Sequence, residues 1–243
     1  MDKKITYSVS ARGKRRHEPI ADWILARYQV ALDQVDSVFG FTEPCALYGG
    51  RPYQGEELSR NDIAWMRERG IGFRIPLTNH YVTAREYDRA KFFIERNHEE
   101  GNSLIIVNDA LAEQAALDFP YYTIEASAIK NIHSQGMLDS ALGIYETAVL
   151  PASVNRRKSF LEQIQNKDRV RLFANAGCAY TCPARICYES ISRYNKGGGR
   201  EPTICSQGMI PRDVENHWFD TDALAKAGFS RFKLLPLTTD PPG

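Results

Sequence analysis

Four of the five cysteines fall in one short window. Cys178, Cys182 and Cys187 form a C-x3-C-x4-C run, and Cys205 follows within the same segment. Thiolates are soft ligands, and four of them suit either a tetrahedral zinc ion or a [4Fe–4S] cluster. Structural zinc ordinarily uses paired C-x2-C knuckles, which this chain lacks, whereas uneven gaps spread ligands around a larger object. The spacing therefore favours iron–sulfur, with zinc as the alternative. Arg185 stands among these cysteines and could donate to a cluster sulfide or to an anionic substrate; a surface ion pair is the plainer reading. Cys45 lies outside the window and reads as a packed thiol.

A second set of polar residues follows apolar runs along the chain: Arg12, Glu43, Asn79, His80, Asn108, Glu125, Asn155, Arg156 and Lys233. Arg12, Arg156 and Lys233 could fix a carboxylate or phosphate. Glu43 or Glu125 could move protons if burial raised its pKa, and His80 titrates near working pH. The competing reading for about half of them is a helix cap or a rim ion pair, and Asp109 and Ser153 stand where N-caps belong. Neither HExxH nor G-x-S-x-G occurs. Lys196-Gly197-Gly198-Gly199-Arg200 follows no strand, so it reads as a flexible loop tip rather than a phosphate cradle. Tyr180, Tyr188, Tyr194 and Trp218 either cover the cysteines or pack their loop.

Eight apolar runs of strand length would carry these residues: 4–9, 35–41, 72–77, 103–108, 121–126, 146–152, 170–175 and 229–235. Between them lie segments with helical spacing: Ile20, Trp23, Ile24 and Tyr28 after Pro19, then 60–69 stopped by Gly70, 86–97, 110–119, 138–145, 158–165 and 221–227. Strict alternation of strand and helix implies a parallel sheet, and eight repeats let it close. The turn Ser10-Ala11-Arg12-Gly13-Lys14 lacks the Gly-rich signature of a dinucleotide fold. The expectation is a single TIM-type (β/α) eight-stranded barrel over residues 1–243. An enlarged loop over 176–228, between strands seven and eight, bears the cysteines at the end where such barrels keep their chemistry.

Composition limits the partners. Lys plus Arg total 31 against 30 for Asp plus Glu, so a net charge of +1 gives no strong nucleic-acid signal. The run Arg12, Lys14, Arg15, Arg16, His17 reads as a solvated loop. Met1-Asp2-Lys3-Lys4 leads directly into a strand, and no apolar stretch is long enough to span a bilayer. The expected setting is the cytoplasm, where thiols stay reduced.

Several motifs together resemble the collagenase-like peptidase family U32, especially its barrel-only members. They are Tyr48-Gly49-Gly50, Val107-Asn108-Asp109, Leu150 to Arg156, Asn175-Ala176-Gly177-Cys178 with Cys182-Pro183-Ala184-Arg185 (similar to the family's NxGCxxxCPxR element), Ile210-Pro211-Arg212-Asp213, and Gly228 to Lys233. The chain departs from the family at Cys187, a position often His in barrel-only members, and Lys233-Leu234-Leu235-Pro236 lacks the KIEGR ending of the larger enzymes. The resemblance implies a β/α barrel with a four-cysteine [4Fe–4S] cluster. It also implies a redox enzyme or subunit in oxygen-independent hydroxylation of RNA or a small metabolite. A partner-binding subunit that needs a second barrel for activity is a further possibility.

Overall fold

In a computed structural model of the chain, residues 4–180, 182, 185–206 and 217–236 are described. Thr181, Pro183, Ala184 and the 210–213 motif lie outside them.

Eight parallel strands close into a barrel: β1 (Thr6–Ser10), β2 (Val35–Phe39), β3 (Gly72–Leu77), β4 (Ser103–Ile106), β5 (Thr123–Ala126), β6 (Thr147–Val149), β7 (Val170–Phe173) and β10 (Arg231–Leu234). Their order around the barrel is β1-β10-β7-β6-β5-β4-β3-β2. The seven helices that follow β1 to β6 and precede β10 are α1 (Ile20–Arg27), α2 (Arg60–Arg67), α3 (Ala84–Glu95), α4 (Asp109–Asp118), α5 (Gln135–Leu142), α6 (Lys158–Gln163) and α8 (Thr221–Lys226). This is the TIM-type α/β barrel that strict alternation implies. Among the described residues, no helix is long and apolar enough to cross a membrane.

Local chemistry sets the helix boundaries. Ser59 and Asp62 form a reciprocal capping box on α2, as do Thr83 and Glu86 on α3. Gly70, with φ +66°, supplies the left-handed residue past α2. Helix α5 starts at Gln135 rather than Leu138, because the Ser134 side chain accepts from the Met137 N–H and caps it three residues early. Asn108 caps α4 through the Leu111 N–H, so Asp109 is its first helical residue and not its cap. Ser153 likewise sits inside a 3-10 turn, Ala152–Arg156, and does not cap it.

Two insertions elaborate the barrel. The segment between β7 and β10 is not a plain loop. It contains helix α7 (Cys187–Lys196) and a small antiparallel sheet of β8 (Asn175–Ala176) and β9 (His217–Trp218). Gly197 caps α7, and Gly198 and Gly199 follow with φ +62° and +85°, so the glycine run is a helix stop rather than a loop tip. The second insertion, between β2 and α2, folds against the barrel wall: Tyr48 meets Phe41 at 4.4 Å and Phe93 at 6.3 Å. A Cβ on Gly49 would stand 2.2 Å from the Thr78 carbonyl, which explains why Tyr48-Gly49-Gly50 needs a glycine at that point.

The barrel interior carries charge in its lower half. Register across β1 and β2 skips a residue, with Tyr7 facing Val35 and Ser8 facing Ser37. This bulge re-aims Asp36, whose carboxylate accepts from Arg171 at 2.9 Å. Arg171 also faces Glu125 at 3.8 Å, and Glu125 pairs with Arg74. Buried charges of this kind are tolerated only when paired.

Candidate functional site at the barrel mouth

Strand β7 hands its chain directly to the cysteines, and β7 stands opposite β3, four strands away in either direction round the barrel. Helix α7 nevertheless seats on the loops after β2 and β3. Asn79 Nδ2 donates towards the carbonyls of Ala46, Tyr48 and Ser192 at 2.9, 3.1 and 3.0 Å. The Tyr53 N–H donates to Asn195 at 2.8 Å, and Asn195 donates to the Tyr48 and Arg51 carbonyls at 3.1 Å each. Lys196 pairs with Glu86 at 2.9 Å. The segment from β7 to α7 is therefore a strap laid across the mouth, and the thiols travel with it.

The four thiols share that region. Burial raises the pKa of Cys187 first, and the negative charges of Cys178, Cys182 and Cys205 add to the rise, so all three stand close enough to act on it. Tyr188 is pushed up to about 12 by burial and then by Cys187, Cys178 and Cys182, which places its ring beside the thiols. Cys182 Sγ meets Ser206 Oγ at 3.3 Å. Among the described residues, no three His, Cys, Asp or Glu side chains are arranged as a closed set of metal ligands. The thiols are gathered without forming a finished cage. Arg185, in the left-handed region at φ 50°, donates to Asn131 on the loop after β5.

The remaining candidates divide by position. Lys233 reaches the mouth: its amine lies 4.1 Å from the ring centre of Phe39 and 5.7 Å from that of Phe173, and each of these is the last residue of its strand. Burial, with Arg74, Arg171 and Arg51 adding positive charge, brings its pKa down to about 7. Arg12 is exposed on the loop after β1, within electrostatic reach of Arg51, Glu57 and Cys178. Arg156 flanks the site: it contacts His217 Nε2 at 2.6 Å and lies over Tyr180, which stacks on His217 at 4.8 Å. Asn155 donates to the Phe173 carbonyl at 2.6 Å, while its buried Oδ1 has no protein partner among the described residues.

Other expectations are corrected by the contacts. Glu125 lies inside the barrel, bound to Arg74, and accepts from Thr147 at 3.3 Å, so its carboxylate is engaged by the interior arginines rather than presented at the mouth. Glu43 turns outward to pair with Arg96, just past the end of α3. Asn108 is spent on the cap of α4. Asn79, fully buried, and His80, whose ring meets Ser192 Oγ at 3.2 Å, seat α7 rather than face a substrate. Burial lowers the pKa of His80, with Glu189 opposing. Lys14 is no solvated charge: it is buried in an ion pair with Asp62 at 2.9 Å. Trp218 is exposed.

Sequence reasoning missed Arg51, which pairs with Glu57 and stacks on Phe41, and the aromatic pair Phe39 and Phe173. The only signal was Arg51 directly after the Tyr48-Gly49-Gly50 turn.

No family model and no curated protein matches the chain. A solved structure, that of the U32 peptidase Mk0906, shares the fold: 12% sequence identity, TM-score 0.68, covering 100% of this chain and 96% of that one.

Proposed function

We propose that this chain belongs with the barrel-only U32 proteins, that Cys178, Cys182, Cys187 and Cys205 hold a [4Fe–4S] cluster, and that it acts as a redox enzyme or enzyme subunit. The substrate class is an RNA or a small metabolite undergoing oxygen-independent hydroxylation or a related modification, in the reducing setting of the cytoplasm and with a second barrel as a possible partner. The observation that carries this reading is the gathering of four thiols over the mouth of a barrel whose full length matches a U32 structure. The donor set fits: four soft thiols, with Cys187 already strained by the charge of the other three. Such a cluster, when bound, supplies one-electron transfer.

The chain's own residues do the rest. Lys233 and Arg12 offer positive charge to an anionic substrate entering from above. Tyr188 lies beside the thiols, and Asn131 holds Arg185, the positive charge that acts on Tyr188. Peptide cleavage has less support. The hydroxyl beside His80 is Ser192, fully buried and donating to the Tyr188 carbonyl at 2.9 Å, so it cannot reach a substrate.

Anaerobic purification tests the reading. The expected protein is brown, with broad visible absorbance and about four iron atoms per chain. A colourless chain with one zinc replaces it with a structural site. Cys205→Ala should lose the metal, and retention of full iron would remove Cys205 from the ligand set. Cys45→Ser should keep it, because the Cys45 thiol, raised to about 11 by burial, packs against the core.

A further inference from the structure

The interior ion pairs leave one cation over. Arg74 is held by Glu125 and Arg171 by Asp36, while Arg231 turns to the Asp168 carbonyl at 3.4 Å. The neighbours of Lys233 on β10, Phe232 and Leu234, pack in the core outside the barrel wall, so strand alternation turns the Lys233 side chain inward. There its amine meets the ring of Phe39 at 4.1 Å and that of Phe173 at 5.7 Å, and it has no carboxylate or hydrogen-bond partner among the described residues. Ring faces attract the charged form of an amine. The group presented at the mouth is therefore an ammonium whose N–H donors are unused.

A second unused polar atom borders the same phenylalanine. Asn155, on the 3-10 turn after β6, donates through Nδ2 to the Phe173 carbonyl at 2.6 Å, yet its Oδ1 is buried without a hydrogen-bond partner and the residue is only 8% exposed. Buried acceptors are seldom left unmatched. Phe173 thus has spare donors beside its ring and a spare acceptor beside its backbone, and a small molecule can reach both.

We propose that Lys233 and Asn155 are the two ends of one subsite for a small hydroxy acid, the Lys233 ammonium pairing with the carboxylate and Asn155 Oδ1 accepting from the hydroxyl. The rings of Phe39 and Phe173 shield the ion pair from water, which strengthens a charge-assisted hydrogen bond. The subsite recognises its ligand and makes no bond to it. This inference rests on the mouth being the site, as proposed above, and names the ligand class; it does not depend on the cluster.

The test is an equilibrium titration of the anaerobically purified chain, followed by nuclear magnetic resonance, with three probes: lactate, propionate, which lacks the hydroxyl, and lactamide, which lacks the charge. It is run at about pH 6, where the amine, brought down to about 7 by burial and the neighbouring arginines, is charged. Lactate should bind at least fivefold more tightly than propionate and at least tenfold more tightly than lactamide. Lys233→Met should lose affinity for lactate and propionate alike, whereas Asn155→Ala should bring lactate to the level of propionate and leave propionate unchanged. The comparison of probes on the unaltered chain holds even if a variant fails to fold. Equal binding of lactate and propionate overturns the hydroxyl contact, equal binding of lactate and lactamide overturns the ion pair, and no saturable binding of lactate overturns the subsite. Iron counted on the same sample separates the two readings: an iron-free chain that ranks the probes as expected sinks the cluster alone.

Discussion

Asp36 illustrates how single residues divide their labour here. Burial alone would push its carboxyl up, but Arg171 and the hydrogen bonds from Arg171, Ser37 and Thr6 outweigh it and hold the pKa down to about 2. An acid whose pKa is lower in the folded chain stabilises the fold above its unfolded pKa, and that stability is lost as pH falls through the folded value. Asp36→Asn should therefore cost about 2 kcal/mol at pH 7 and flatten the loss of stability between pH 4 and pH 2, as read by denaturant midpoints across that range. Glu125 makes the complementary point. Its type and its place near a strand end suggest proton transfer, and only the position of Arg74, fifty-one residues earlier on β3, reveals an ion pair instead. Residue type was legible in the chain; the partner was not, because strands two apart contribute side chains to one interior.

At the scale of elements, Asn79 joins the end of β3 to the neighbouring insertion and to α7 at once. Its two amide hydrogens are shared among three carbonyls, and its Oδ1 accepts from the Tyr81 N–H at 2.8 Å. Asn79→Ala should cost about 2–4 kcal/mol by orphaning buried backbone groups, and should also lower iron per chain, since α7 carries Cys187. Denaturant titration beside metal analysis checks both. Strands and outer helices were readable because apolar periodicity and caps are local signals: Ser59 with Asp62, and Gly70, mark α2 unaided. Helix α7 was not read, since its apolar positions are few and its seat is built from residues more than a hundred positions earlier, Asn79 with Ser192 and Tyr48 with Asn195. The gathering of the cysteines was legible from their spacing, whereas the aromatic setting of Lys233 depends on barrel closure.

Over the whole molecule, the apolar core lies between barrel and helices and owes nothing to Cys178, Cys187 or Cys205, which are outside it. Chelation under anaerobic conditions should leave the far-ultraviolet circular dichroism and the main unfolding transition in place, while exposing the 197–206 segment to limited proteolysis; a global loss of structure would show that the metal supports the barrel itself. The strap has one more consequence. Its seat, formed by the insertion after β2 and the loop after β3, is encoded in the first third of the chain, and its thiols in the last third. During synthesis the seat leaves the ribosome well before the cysteines do, but β10 must still arrive to close the ring between β7 and β1. The thiols thus emerge after their landing place and before the strand that closes the ring, so the site that gathers them is complete only when the last strand has joined β7 to β1.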